Sequence, residues 1–115
     1  KALSHPKVKI FGHPTARLLE KREGVEMDWD QIFDYVQKHD QALEINSSPS
    51  RLDLPDLLVQ EGVEKGVKFF INTDAHAARH MDWMPYGVDV ARRGWLEKKD
   101  VVNTWELKKV REWMQ

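Results

Sequence analysis

Cysteine is absent from the chain, which removes both disulfide staples and thiolate metal sites. Any bound metal therefore has to rely on histidine, aspartate, glutamate or backbone oxygen. Histidine is itself scarce, with five in 115 residues. No apolar run approaches the roughly 20 residues of a membrane-crossing helix, and no secretion-signal pattern opens the chain. These two absences give the expectation of a cytoplasmic protein without a membrane partner. An excess of one charge sign is missing too. Eighteen Lys and Arg against 19 Asp and Glu leave a formal charge of −1, which argues against a strongly basic wrapper of nucleic acid while permitting a local basic patch. The chain opens on Lys1 rather than Met, from which we expect a piece of something longer.

What is present is the composition of one globular domain, 41% apolar and 32% charged. Residues 1–6 read as the tail of a helix plus a turn, and Val8, Ile10 and Phe11 as a first strand. Glu20-Lys21-Arg22-Glu23-Gly24 has no period and reads as a loop. Asp28 with Gln31 three residues on resembles a capping box, and Trp29, Ile32, Phe33 and Val36 recur as one helical face running to about His39. Ala42-Leu43-Glu44-Ile45 is a second strand ending at Asn46, followed by the turn Ser47-Ser48-Pro49-Ser50-Arg51. Asp53 is expected to cap a second helix with Pro55 in its first turn, and Gly66 to stand just past that helix's end. Val67 to Ile71 is a third strand. Beyond it, Ala77 to Trp83 is a short helix broken by Pro85-Tyr86-Gly87, Arg92-Arg93-Gly94-Trp95 is irregular or weakly helical, and Glu97 to Asn103 is a short helix. Thr104 is expected to cap a last helix whose Leu107, Val110 and Met114 share a face.

Strand, helix, strand, helix, strand, then helices predicts an α/β fold of three parallel strands with covering helices, joined by right-handed crossovers. In such sheets ligands bind at the carboxyl ends of the strands. The residues delivered there are His13, Asn46 with Glu44 close by, and Asp74 with His76, the last pair ending the run Phe69-Phe70-Ile71-Asn72-Thr73-Asp74-Ala75-His76. Three strands cannot close a barrel, and an eight-stranded one takes about 250 residues, so the chain has the look of part of a barrel.

Two imidazoles and a carboxylate suit Zn, Mn or Fe. Asp74 and His76, two apart, share a face if strand geometry continues through them, and His13 from a neighbouring strand makes three candidate ligands and candidate catalytic residues. Alternatives stay open for each. Asp74 can instead cap the following helix with His76 in its first turn, and His13 before Pro14 can be a packed turn histidine. His80 shares a helical face with His76 or lies in solvent, while His5 and His39 are assigned to structure. Glu44 faces either the site or a covering helix, and Asn46 serves the site or a turn. Arg17, Lys21, Arg22, Arg51, Arg92 and Arg93 fall mostly in loops beside the candidate site, where Arg17, Arg51 and Arg92, with Asn46, are the candidates for holding substrate phosphates. Solvated surface charge is the alternative for every one of them. Among five tryptophans, Trp29 and Trp113 are expected in the core.

His13-Pro14-Thr15-Ala16-Arg17-Leu18-Leu19, Leu43-Glu44-Ile45-Asn46, Arg51-Leu52-Asp53-Leu54-Pro55, Asn72-Thr73-Asp74-Ala75-His76 and Val90-Ala91-Arg92-Arg93-Gly94-Trp95 occur in an order that resembles the carboxyl-terminal part of a PHP (polymerase and histidinol phosphatase) domain. Within that superfamily they are most similar to the version appended to bacterial and archaeal family X DNA polymerases. The resemblance implies a TIM-like (β/α)7 PHP barrel, here partial, with up to three divalent metals, Zn or Mn, at the strand ends. By matching motif it makes His13, Asp74 and His76 metal ligands. It also implies 3′–5′ exonuclease or 3′-end processing on DNA in an intact protein, with the rest of the barrel and the polymerase domain as partners. The family's opening His-x-His pair, its later histidines and its Glu ligand are not in these residues, so residues 1–115 are expected to turn over little alone. The superfamily also contains histidinol-phosphate phosphatases, which supplies a competing small-molecule class, and a non-catalytic scaffold is a third expectation.

Overall fold

The computed structural model describes residues 1–115 as a three-stranded parallel sheet and four α-helices. The strands β1 (Ile10–Phe11), β2 (Ala42–Asn46) and β3 (Lys68–Asn72) lie in sequence order, with Phe11 opposite Leu43 and Leu43 opposite Phe69. The helices are α1 (Trp29–Lys38), α2 (Asp56–Glu64), α3 (Met84–Arg93) and α4 (Leu107–Met114). Alternation along the strands divides the sheet into two faces. Phe11, Leu43, Ile45, Phe69 and Ile71 meet Phe33 and Val36 of α1, Val59 of α2 and Ala91 of α3 in the main core. Ile10, Ala42 and Phe70 face the other way, where Val102, Trp105, Val110 and Trp113 cover them. Both faces being covered explains why β2 is buried at every residue. No helix is long and apolar enough to cross a membrane.

α1 begins as its sequence dictates. Asp28 accepts the Gln31 backbone N–H at 3.1 Å and the Gln31 side-chain amide at 2.7 Å, and Phe33 and Val36 are fully buried. Gly66 follows α2 with φ +77, the left-handed turn that a residue without Cβ makes freely. Trp113 is buried, and Trp29 packs on Phe33 with ring centroids 5.8 Å apart.

Several expectations are corrected. Asp53 caps nothing: α2 starts after Pro55, and Asp53 is fully buried, its backbone exchanging hydrogen bonds with Asn46. Pro85-Tyr86-Gly87 opens α3 rather than breaking a helix, because proline in a first turn lacks only an N–H that would go unpaired there. Arg92 and Arg93 are accordingly that helix's last turn, preceded by a 3-10 stretch over Ala78–Trp83. Residues 97–103 are two short 3-10 turns rather than one helix, with Val101 between them pairing in parallel with Phe69. Thr104 directs its hydroxyl to the Lys98 and Val101 carbonyls, so Glu106 precedes α4, whose inward residues are Val110 and Trp113 while Leu107 and Met114 stay exposed.

The free edge of β3 is partly closed. Asn103 acts as a strand mimic, accepting the Ile71 N–H at 3.1 Å and donating to the Ile71 carbonyl at 2.8 Å. A residue of a later 3-10 turn thus gives that edge partial protection at Ile71.

Candidate metal and phosphate site at the strand ends

The loops that leave the three strands are laced to one another. Thr15 N–H donates to the buried Asp53 carboxylate at 3.1 Å, Leu19 N–H to the Ser50 carbonyl at 2.8 Å, and Ser47 N–H to the Asn72 carbonyl at 2.7 Å. Arg17 donates through Nε to the Arg51 carbonyl at 2.8 Å and through Nη2 to the Leu52 carbonyl. Five of the seven non-glycine residues with positive φ fall in these loops: His13, Ala16, Glu20, Leu52 and Asp74. Left-handed backbone at residues carrying a Cβ persists only where the surroundings hold it, and it concentrates at binding sites.

His13, the first residue past Gly12 at the end of β1, is exposed, so it is not a packed turn histidine. Its backbone N–H donates to Glu44 at 2.5 Å. Asn46 is fully buried at the end of β2, its Oδ1 accepting the Ser48 N–H at 3.0 Å, which is the turn role. Asp74 is half-buried with Arg51 Nε 3.3 Å from its Oδ2. Asp74 does not cap the following 3-10 helix, which Ala77 precedes without a side-chain bond. His76 is exposed, its Nδ1 2.6 Å from the Asp74 carbonyl, while its N–H donates to His80 Nδ1 at 3.1 Å. His80 in turn stacks on Trp83 with ring centroids 4.0 Å apart.

The arginines divide. Arg51 reaches the strand ends through Asp74, and Arg17 is held by backbone carbonyls. Arg92 projects from the exposed last turn of α3 and pairs with Asp89 at 3.7 Å. Arg93 donates to Asp56 at 2.6 Å, and its guanidinium holds that carboxyl below the usual carboxylate range.

Two imidazoles and a carboxylate match in chemistry what Zn or Mn accepts. Within these 115 residues they do not by themselves make a three-ligand group. Asp74 is engaged by Arg51, and His76 turns a ring nitrogen toward a carbonyl of its own loop.

Over 114 residues the chain is 43% identical to the DNA polymerase/3'-5' exonuclease PolX of Bacillus subtilis (strain 168). The alignment takes in 99% of this chain and 20% of that protein, so the chain is related to PolX along nearly all of its own length and spans about a fifth of the relative. No family model matches the chain.

One organiser of the site was left open by sequence reasoning. Glu44 lies on the sheet face that carries Asn46 and Asn72, and its carboxylate takes donors from both as well as from His13. The signal available was parity, since Glu44 and Asn46 are two apart on a strand and share a face.

Proposed function

We propose that these 115 residues are the carboxyl-terminal part of a PHP barrel within a PolX-like polypeptide. In the intact protein they would serve metal-dependent hydrolysis of phosphodiesters at DNA 3′ ends. The observation that carries this reading is the delivery of His13, Asp74 with His76, and Arg51 to one edge of a parallel sheet, in a chain 43% identical to PolX. His13, Asp74 and His76 are this chain's share of a ligand set whose other donors, and the rest of the barrel, belong to the remainder of the polypeptide. A divalent Zn or Mn ion held by the complete set would neutralise phosphate oxygens and lower the pKa of a bound water. Arg51 supplies a planar fork for the backbone phosphates of DNA, with Arg17 and Arg92 as outer contributors and Asn46 shaping the loop beneath.

The test is release of nucleotides from a DNA 3′ end by the full-length protein in Mn, wild type against Asp74→Ala. A loss on the order of a hundredfold or more is expected of a group that stabilises transition-state charge. Equal rates end the proposal. Preferential hydrolysis of histidinol phosphate would move the assignment to small phosphomonoesters, and normal partner binding without either activity would make the domain a scaffold.

A further inference from the structure

Glu44 is an anomaly for a parallel strand buried on both faces. It is 8% exposed in the middle of β2, and none of the ion pairs of the chain includes it. A carboxylate withdrawn from water this far requires either a cation or several donors. It has donors. The His13 backbone N–H lies 2.5 Å from Oε2, the Asn72 side-chain amide 2.9 Å from Oε1, and the Asn46 side-chain amide, at the limit of hydrogen bonding, 3.4 Å from Oε2.

These donors come from three places in the chain: the loop after β1, the last residue of β2 and the last residue of β3. One acceptor thus joins the carboxyl ends of all three strands. An ionised carboxylate suits this because it offers only lone pairs, enough for three N–H groups at once, and charge-assisted bonds of this kind are the stronger ones. His13 needs such an anchor, since its φ of 29 is left-handed for a residue with a Cβ.

We propose that Glu44 is the positioning residue of the strand-end site. Its carboxylate fixes the His13 turn and the Asn72 side chain to one point, and so sets where the His13 imidazole and the Asp74–His76 segment that follows Asn72 stand. The clamp rests on geometry alone; its consequence for turnover rests on the function proposed above.

Glu44→Gln keeps the shape but puts an NH₂ group against N–H donors, whereas Glu44→Asp keeps the charge on a shorter arm. Glu61→Gln, on the exposed side of α2, is the control. Amide hydrogen exchange followed by NMR in this chain is expected to speed up at His13 by at least tenfold in Glu44→Gln, on the order of the loss of one hydrogen bond. Protection at Phe33 and Val36 should stay intact, with partial recovery in Glu44→Asp. In the full-length protein Glu44→Gln should lower kcat for 3′-end release with little change in KM, and weaken Zn binding measured by calorimetry.

Unchanged exchange at His13 overturns the clamp. If Glu44→Gln does not fold, the same amide is read in Glu44→Asp with the same two outcomes. Faster exchange beside unaltered rates and Zn affinity overturns the positioning role. Loss of Zn binding with His13 exchange unchanged would make Glu44 a ligand, which also overturns it. If the wild-type protein releases no nucleotide, the functional assignment falls while the exchange measurement still decides the clamp.

Discussion

Arg51 Nε stands 3.3 Å from Asp74 Oδ2, so the carboxylate proposed as a metal ligand already has a cation beside it. Both side chains keep partial solvent contact, and such a pair contributes about 0–1 kcal/mol to stability. A divalent ion and the guanidinium compete for the same oxygen. Arg51→Met should therefore leave the unfolding midpoint nearly unchanged and tighten Mn binding by about two- to fivefold, the equivalent of that pair energy. Calorimetric titration measures the ion, and DNA binding should weaken in the same variant because a phosphate fork is gone. Weaker Mn binding in Arg51→Met would show that the arginine supports the ion site instead of competing with it.

α3 is docked through a glycine. A Cβ on Gly87 would lie 2.0 Å from Ser47 Oγ and 2.7 Å from Ile71 Cγ2, and Ser47 is fully buried. Gly87→Ala is expected to lower stability by about 1–3 kcal/mol, as overpacking does, despite alanine's better helix propensity. Urea unfolding measures it. A midpoint equal to or above wild type would mean that α3 is not seated against the β2–α2 loop.

The parts of the fold legible in the sequence are those with local causes. Asp28, Gln31 and the apolar period after them specify α1, and Gly66 marks the end of α2, because caps and periodicity act within a few residues. The misread segments were decided at long range. Asp53 has the look of a cap, yet the Thr15 N–H, 38 residues away in sequence, takes its carboxylate, and the Asn46 backbone across the turn takes its peptide groups. Pro85 and Gly87 have the look of breakers, yet the glycine is demanded by contact with Ser47 and Ile71. At the site, strand ends predicted which residues share an edge. Parity puts Glu44 on the face of Asn46, but spacing alone did not show that Asp74 pairs with Arg51, nor that three donors converge on the Glu44 carboxylate.

Acid should loosen α1 through its cap. The Gln31 backbone N–H, and next its side-chain amide, hold the Asp28 carboxyl below its ordinary 3.8. A folded-state pKa lower than the unfolded one contributes stability that is present above pH 3.8 and lost as pH falls through the folded value. Asp28→Asn keeps an oxygen for capping but cannot titrate. Far-ultraviolet circular dichroism against pH should therefore show a shallower loss of helix below pH 3.8 in Asp28→Asn than in wild type. Superimposable acid limbs would remove Asp28 as a contributor.

Asn103 closes the backbone of β3 at Ile71, and the consequence of losing it is association as much as instability. The side chain supplies both the acceptor for the Ile71 N–H and the donor for its carbonyl. Asn103→Ala strips both partners at once, leaving an edge residue preceded by Phe69 and Phe70 with its peptide groups free to pair with another chain. Each lost bond is worth about 1 kcal/mol, so a drop of about 1–2 kcal/mol is expected where the monomer is measured, at low concentration. Sedimentation velocity over a concentration series should show Asn103→Ala shifting toward larger species at concentrations where wild type does not. Asn103→Asp separates the two bonds, since a carboxylate still accepts the N–H but cannot donate to the carbonyl. It should fall between wild type and alanine in both measurements. If alanine and wild type sediment alike, the pairing of Val101 with Phe69 is by itself sufficient to guard that edge.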